Sequence, residues 1–132
     1  MARILVVDDD ADVVEAVRIW LSKAGHEIAS AFNRDEGMRL AGEGNTDLLI
    51  LDIMMAEPDD GIAMAQELRK KGFDKPILIM SSISKVTGLT YGKDDAMIPV
   101  DAFVEKPVKP DVLVEKVSAL LKSRHKEDTS SC

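Results

Sequence analysis

Four short apolar runs, each stopped by a polar or charged side chain, constrain the fold of this chain most. They are Ile4-Leu5-Val6-Val7 before Asp8, Leu48-Leu49-Ile50-Leu51 before Asp52, Ile77-Leu78-Ile79-Met80 before Ser81, and Ala102-Phe103-Val104 just before Lys106-Pro107. Unbroken apolar runs of this length mark strands buried on both faces, as in parallel sheets. His26–Phe32 alternates weakly and supplies a fifth strand. Between the runs the period changes. Val13, Val17, Trp20, Leu21 and Ala24 share one helical face, closed by Gly25. Asn33 is placed to cap a second helix through Met38, Leu40 and Ala41, ended by Gly42 and Gly44. Ile62, Ala65 and Leu68 form a third, closed by Gly72. Val112, Leu113, Val117, Leu120 and Leu121 form the last, with Pro110 in its first turn. Strands alternating with helices predict an α/β fold, its parallel strands joined by right-handed crossovers and its helices on both sheet faces.

Length and charge narrow the function. The chain has 132 residues, the size of one domain. Its formal net charge is −7, from 17 basic and 24 acidic residues. Nucleic-acid and anionic-membrane binding need a basic footprint, so direct contact with either is not expected. Cys132 is the single cysteine, which excludes an intrachain disulfide and a cysteine metal cluster. No run approaches the ~18 apolar residues of a membrane span, and the four at Ile4–Val7 are too few for a secretory signal. A cytoplasmic location follows as an expectation. Trp20 is expected in the core, and His26 and His125, with no partner pattern, at the surface or in turns.

In open parallel sheets ligands bind beyond the carboxyl ends of the strands. Asp8-Asp9-Asp10, Asp52, Ser81 and Lys106 all fall there. Carboxylates crowded at one edge repel one another, and Mg²⁺, which takes one or two carboxylates and keeps waters and phosphate oxygens, is the natural neutraliser.

With these motifs in this order, the sequence resembles the response-regulator receiver domain of two-component signalling, over Arg3 to about Leu121. The carriers are Ile4–Asp10, Leu48–Met55, Pro76–Ser82 and Phe103–Pro107. The resemblance implies a flavodoxin-like (βα)5 doubly wound sheet of strand order 2-1-3-4-5. It implies that Asp52 accepts a phosphoryl group from a histidine kinase or phosphotransfer protein, forming an aspartyl phosphate. Asp9 would bind Mg²⁺ directly, Asp8 directly or through water, and Asp52 and the backbone carbonyl of Met54 would complete the protein ligands. Lys106 would pair with Asp52 and then with the phosphoryl oxygens, Ser81 would donate a hydrogen bond to one of them, and Phe103 would be the aromatic switch. The output face would be residues 83–121. Such a domain is not an enzyme on other substrates; it catalyses its own phosphorylation and dephosphorylation. It would act through an undetermined protein partner, as a monomer or weak dimer.

Departures from the family pattern lie in two loops. Ala56 stands where proline is usual, and Glu57-Pro58-Asp59-Asp60-Gly61 is one residue longer than usual. The segment from Ser81 to Lys106 is also longer, and Gly88, Gly92 and Pro99 predict a loop or a short, irregular helix over residues 83–97. The expected organisation is a receiver domain over 1–122 and a polar, disordered tail over 123–132. Two other readings compete. One is a degenerate receiver that serves as a phosphorylation-independent docking module. The other is a haloacid-dehalogenase-type phosphohydrolase using the Asp-x-Asp of Asp8 and Asp10.

Overall fold

The computed structural model describes residues 2–52, 60–82, 100–106 and 108–130, with the backbone alone at residues 60, 81, 82, 106 and 123–130. The elements run β1 (Arg3–Val7), α1 (Ala11–Lys23), β2 (Glu27–Ala31), α2 (Arg34–Ala41), β3 (Leu48–Asp52), α3 (Asp60–Lys70), β4 (Ile77–Ser82), β5 (Ala102–Lys106) and α4 (Pro110–Ser130). The strands form one parallel sheet in the order β2-β1-β3-β4-β5. This is the topology that the resemblance implies. The helix or loop expected over residues 83–97 and the long turn at 56–59 lie outside the described residues.

Strand periodicity of two divides the apolar runs between two cores. Leu5, Val7, Leu49, Leu51, Ile77 and Ile79 face one way and pack on Ala41 of α2 and on Ile62, Met64, Ala65 and Leu68 of α3. Ile4, Val6, Leu48, Ile50, Leu78 and Met80 face the other way and meet Val14, Val17 and Leu21 of α1 and Leu113 and Val117 of α4. Runs with no polar gap are therefore what a sheet covered on both faces requires. Each fully buried aliphatic side chain contributes ~1.5–3 kcal/mol. Trp20 is half-buried against the second core.

Helix ends follow local chemistry. The Asp10 carboxylate accepts the Asp12 amide at 2.9 Å and caps α1. Asn33 caps α2 by accepting the Glu36 amide at 2.8 Å. Gly25 and Gly72, both at φ +98°, turn the chain after α1 and α3. The last helix runs to Ser130, through residues 123–130 of the polar tail. Residues 123–130 hold no proline or glycine, and Arg124, Lys126 and Glu127 favour helix. Its described contacts with the core end at Leu121.

The edge of the sheet at the strand starts is tied by polar contacts. The Asp47 carboxylate accepts the Arg3 amide at 2.9 Å. Arg69, at the end of α3, donates to the carbonyls of Phe73 and Lys75 at 2.9 and 2.8 Å and to the Asp101 carboxylate at 3.1 Å. The same Asp101 oxygen accepts the Ile77 amide at 2.8 Å, so α3 is fastened to the starts of β4 and β5. Among the described residues no helix is long and apolar enough to cross a membrane.

Candidate functional site

The site grows out of strand register. Val7 of β1 pairs with Leu51 of β3. One residue further, Asp8 and Asp52 fall side by side. By alternation they continue the rows of Ile4 and Val6 and of Leu48 and Ile50. Where those rows leave the core they end in carboxylates. Asp8 is 0% exposed and Asp52 6%, while Asp9, past the end of β1, is open to solvent.

One carboxylate oxygen each from Asp8, Asp9 and Asp52 lies within 4.8 Å of the others. Two of the three acids are buried, and burying like charges this close is costly without a counterion. Among the described residues the clustered donors are carboxylate oxygens at a strand edge, with Asp9 exposed, and these suit a hard divalent cation that keeps part of its water shell. The residues present therefore fit Mg²⁺.

The acidic triplet divides by role. Asp8 Oδ1 accepts the Asp10 amide at 2.9 Å, which holds the turn after β1. Asp10 is the cap of α1 and does not join the cluster. An Asp-x-Asp hydrolase would need Asp8 and Asp10 to work as a pair. Here the partner of Asp8 across the sheet is Asp52.

The other predicted residues fall on the same edge by backbone position. Asp52 pairs with Met80, so Ser81 is the next residue along β4, where it pairs with Glu105. Lys106 pairs with Ser82 at the end of β5. Phe103 pairs with Ile79 and is half-buried against the core shared with α2 and α3. Met54 lies outside the described residues. The structure thus brings Asp8, Asp9 and Asp52 together by side chain, and Ser81 and Lys106 to neighbouring strand ends by backbone.

Sequence pattern missed one polar contact, at the opposite edge. His26 is half-buried in the turn before β2, and its Nδ1 accepts the Ala2 amide at 3.3 Å. Burial, and then the positive amino terminus, lowers its pKa from the ordinary 6.5. A lone histidine has no spacing signal, so only tertiary placement shows this.

Comparison with known proteins agrees with the geometry. The family model for the response regulator receiver domain matches residues 4–118. The transcriptional regulatory protein PrrA of Mycobacterium tuberculosis is 37% identical over 133 residues, covering 98% of this chain and 54% of its own length. Response regulator MprA of Mycobacterium bovis is 36% identical, covering 97% of this chain and 54% of its own. The chain spans about half the length of these curated relatives. Among solved structures, response regulator TrrA of Thermotoga maritima in complex with Mg²⁺–BeF is 38% identical, with TM-score 0.77 over 91% of this chain and 99% of its own. A Francisella response regulator receiver domain is 26% identical, with TM-score 0.81 over 94% and 99%. With its parallel sheet, its acid cluster at the carboxyl edge and these matches across nearly its whole length, the chain belongs to the response regulator receiver family of two-component systems.

Proposed function

We propose that this chain is a phosphoacceptor switch in which Asp52 takes a phosphoryl group from the phosphohistidine of a histidine kinase or phosphotransfer protein. The observation that carries the reading is the meeting of Asp8, Asp9 and Asp52 at the carboxyl edge, with their oxygens within 4.8 Å. An Asp52 carboxylate oxygen attacks phosphorus, the P–N bond breaks, and the imidazole leaves with the electron pair and takes up a proton. The product is an acyl phosphate. Phosphoryl transfer depends mainly on in-line positioning and on neutralising the equatorial oxygens. Asp8, Asp9, Asp52 and the Met54 carbonyl would hold Mg²⁺, which supplies that positive charge when bound. Lys106 supplies more from the end of β5, and Ser81 a hydrogen-bond donor from β4. Both roles rest on family pattern and strand position.

Phosphorylation adds ~1.5–2 negative charges and strong acceptors at one strand end. Contacts from Ser81 and Lys106 to the phosphoryl group would draw in the chain after β4 and β5. Phe103 would follow, and the face of residues 83–121 would change. Only contacts that differ between the two states shift the equilibrium. The chain is in this reading a self-modifying switch rather than an enzyme on other substrates. Its output is contact with a protein partner. The names of PrrA and its kind put transcription control among the outputs such a receiver serves. That qualifies the expectation of no nucleic acid, which applies to this acidic domain and not to a longer regulator built on it.

The test is chemical. With acetyl phosphate and Mg²⁺ the chain should gain one phosphoryl group, seen as a mobility shift and mapped to Asp52. Asp52→Asn should remove the shift and keep the fold. Label on Asp8 or Asp9, or a shift that survives in D52N, overturns the assignment. A wild-type chain that takes no label under any donor points to the docking-module reading.

A further inference from the structure

The carboxyl edge carries an apolar side chain that the acid cluster does not use. Phe32 directly follows β2 and is 44% exposed. Its exposure has a local cause. Asn33 caps α2, and the Glu36 carboxylate reaches back to accept the Phe32 amide at 3.0 Å. Phe32 therefore holds the position before the cap. An apolar side chain there ordinarily packs on the residue four places past the cap, forming a hydrophobic staple. In this chain that residue is Gly37, which offers no side chain. A Cβ at Gly37 would stand 2.8 Å from both Met64 Cε and Val7 Cγ2. Close seating of α2 on β1 thus removes the usual partner of Phe32, and the side chain stays partly exposed.

The place of this ring relative to the acceptor decides what it can meet. Ala31 pairs with Val7, and its carbonyl accepts the Asp8 amide at 3.2 Å. Phe32 is therefore level with Asp8 one strand away, and Asp52 is one strand further. Two strand spacings come to ~10 Å. A protein that docks to deliver a phosphoryl group covers roughly 800 Å² of each partner, a disc of about 16 Å radius. Centred on Asp52, that footprint includes Phe32. A donor the size of acetyl phosphate does not reach it. Aromatic side chains, Phe among them, are enriched at the cores of such interfaces.

We propose that Phe32 is an apolar anchor for the protein that donates the phosphoryl group to Asp52. It governs capture of the donor and not the chemistry of transfer. The inference rests on the reading of Asp52 as acceptor. The complementary donor surface is an apolar patch beside its phosphohistidine.

Two donors separate capture from chemistry. One is acetyl phosphate with Mg²⁺. The other is an autophosphorylated histidine kinase, taken as the member of a purified panel that labels the wild-type chain fastest. Phe32→Ala should lower kcat/KM for the kinase at least tenfold, mainly through KM, and leave labelling by acetyl phosphate within twofold of wild type. Phe32→Leu should recover most of the loss. Kinase transfer to F32A within twofold of wild type overturns the proposal. An equal loss with both donors also overturns it, because Phe32 would then support the site itself. Failure of the underlying reading looks different: the wild-type chain is labelled by neither donor.

Discussion

At the scale of single residues, two carboxylates and one imidazole show how placement sets chemistry. Asp8 and Asp10 are two residues apart in one acidic turn, yet Asp8 is buried in the cluster and Asp10 caps α1. His26 shows the same dependence on surroundings. Its Nδ1 must be unprotonated to accept the Ala2 amide, and burial favours the neutral ring. The folded-state pKa thus lies below the unfolded value of 6.5. The unfolded chain binds the proton first as pH falls. The stability from His26 is complete above 6.5 and is lost as pH drops through the lowered folded value. The fall in Tm from pH 7.5 to 5.5 should therefore be smaller in His26→Gln than in wild type. The site carboxylates are common to both proteins and cancel in that comparison. Equal falls overturn this role for His26.

At the scale of elements, α2 seats closely on β1 and α3 at Gly37. Gly37 stands where an added Cβ would press on Val7 Cγ2 and Met64 Cε at 2.8 Å and on Val7 Cγ1 at 3.0 Å. The thioether end of Met64 can shift, but Val7 is a fully buried, branched strand residue. Gly37→Ala therefore sets an overpacking cost of ~1–3 kcal/mol against a helix-propensity gain of ~1 kcal/mol. The expected result is a net destabilisation of about 1 kcal/mol in urea unfolding. An unchanged or raised midpoint would show that α2 has room to move. Farther along the same helix pair, Arg34 donates to Glu67 at 2.7 Å. That hydrogen bond is the main cause of the lowered Glu67 pKa. Both side chains are partly exposed, so solvent screens the pair, and it orients α2 on α3 more than it stabilises them.

At the scale of the molecule, the folded chain holds acids together that the unfolded chain keeps apart. Asp8 and Asp9 reach Asp52 only when β1 pairs with β3. A cation that binds this cluster binds the folded state alone and stabilises it. At one hundred times its Kd the gain is ~2.7 kcal/mol. Mg²⁺ at millimolar concentration should raise Tm by several degrees, and EDTA should reverse the rise. Asp9→Asn should remove most of that shift and raise Tm in the absence of Mg²⁺, because one of three crowded charges is gone. A full Mg²⁺ shift retained in D9N would place the cation elsewhere.

The sequence by itself determined the layers and the edge where chemistry occurs. Apolar runs such as Ile4–Val7 and Leu48–Leu51 have one stable use, as strands covered on both faces, and each ends in the polar residue that follows it. The cap at Asn33 and the turns at Gly25 and Gly72 were equally legible, because their causes lie within a few residues. Apart from the family resemblance, which names Asp8, Asp9 and Asp52, only tertiary structure shows which acids meet. Cross-strand register joins Asp8 to Asp52 over more than forty residues of sequence, and no local pattern separates Asp8 from Asp10. It also decided that His26 is half-buried and that Phe32, with a glycine at its usual packing position, stays partly exposed. Local propensity acts within a turn of chain, whereas burial and register depend on what the rest of the chain brings alongside.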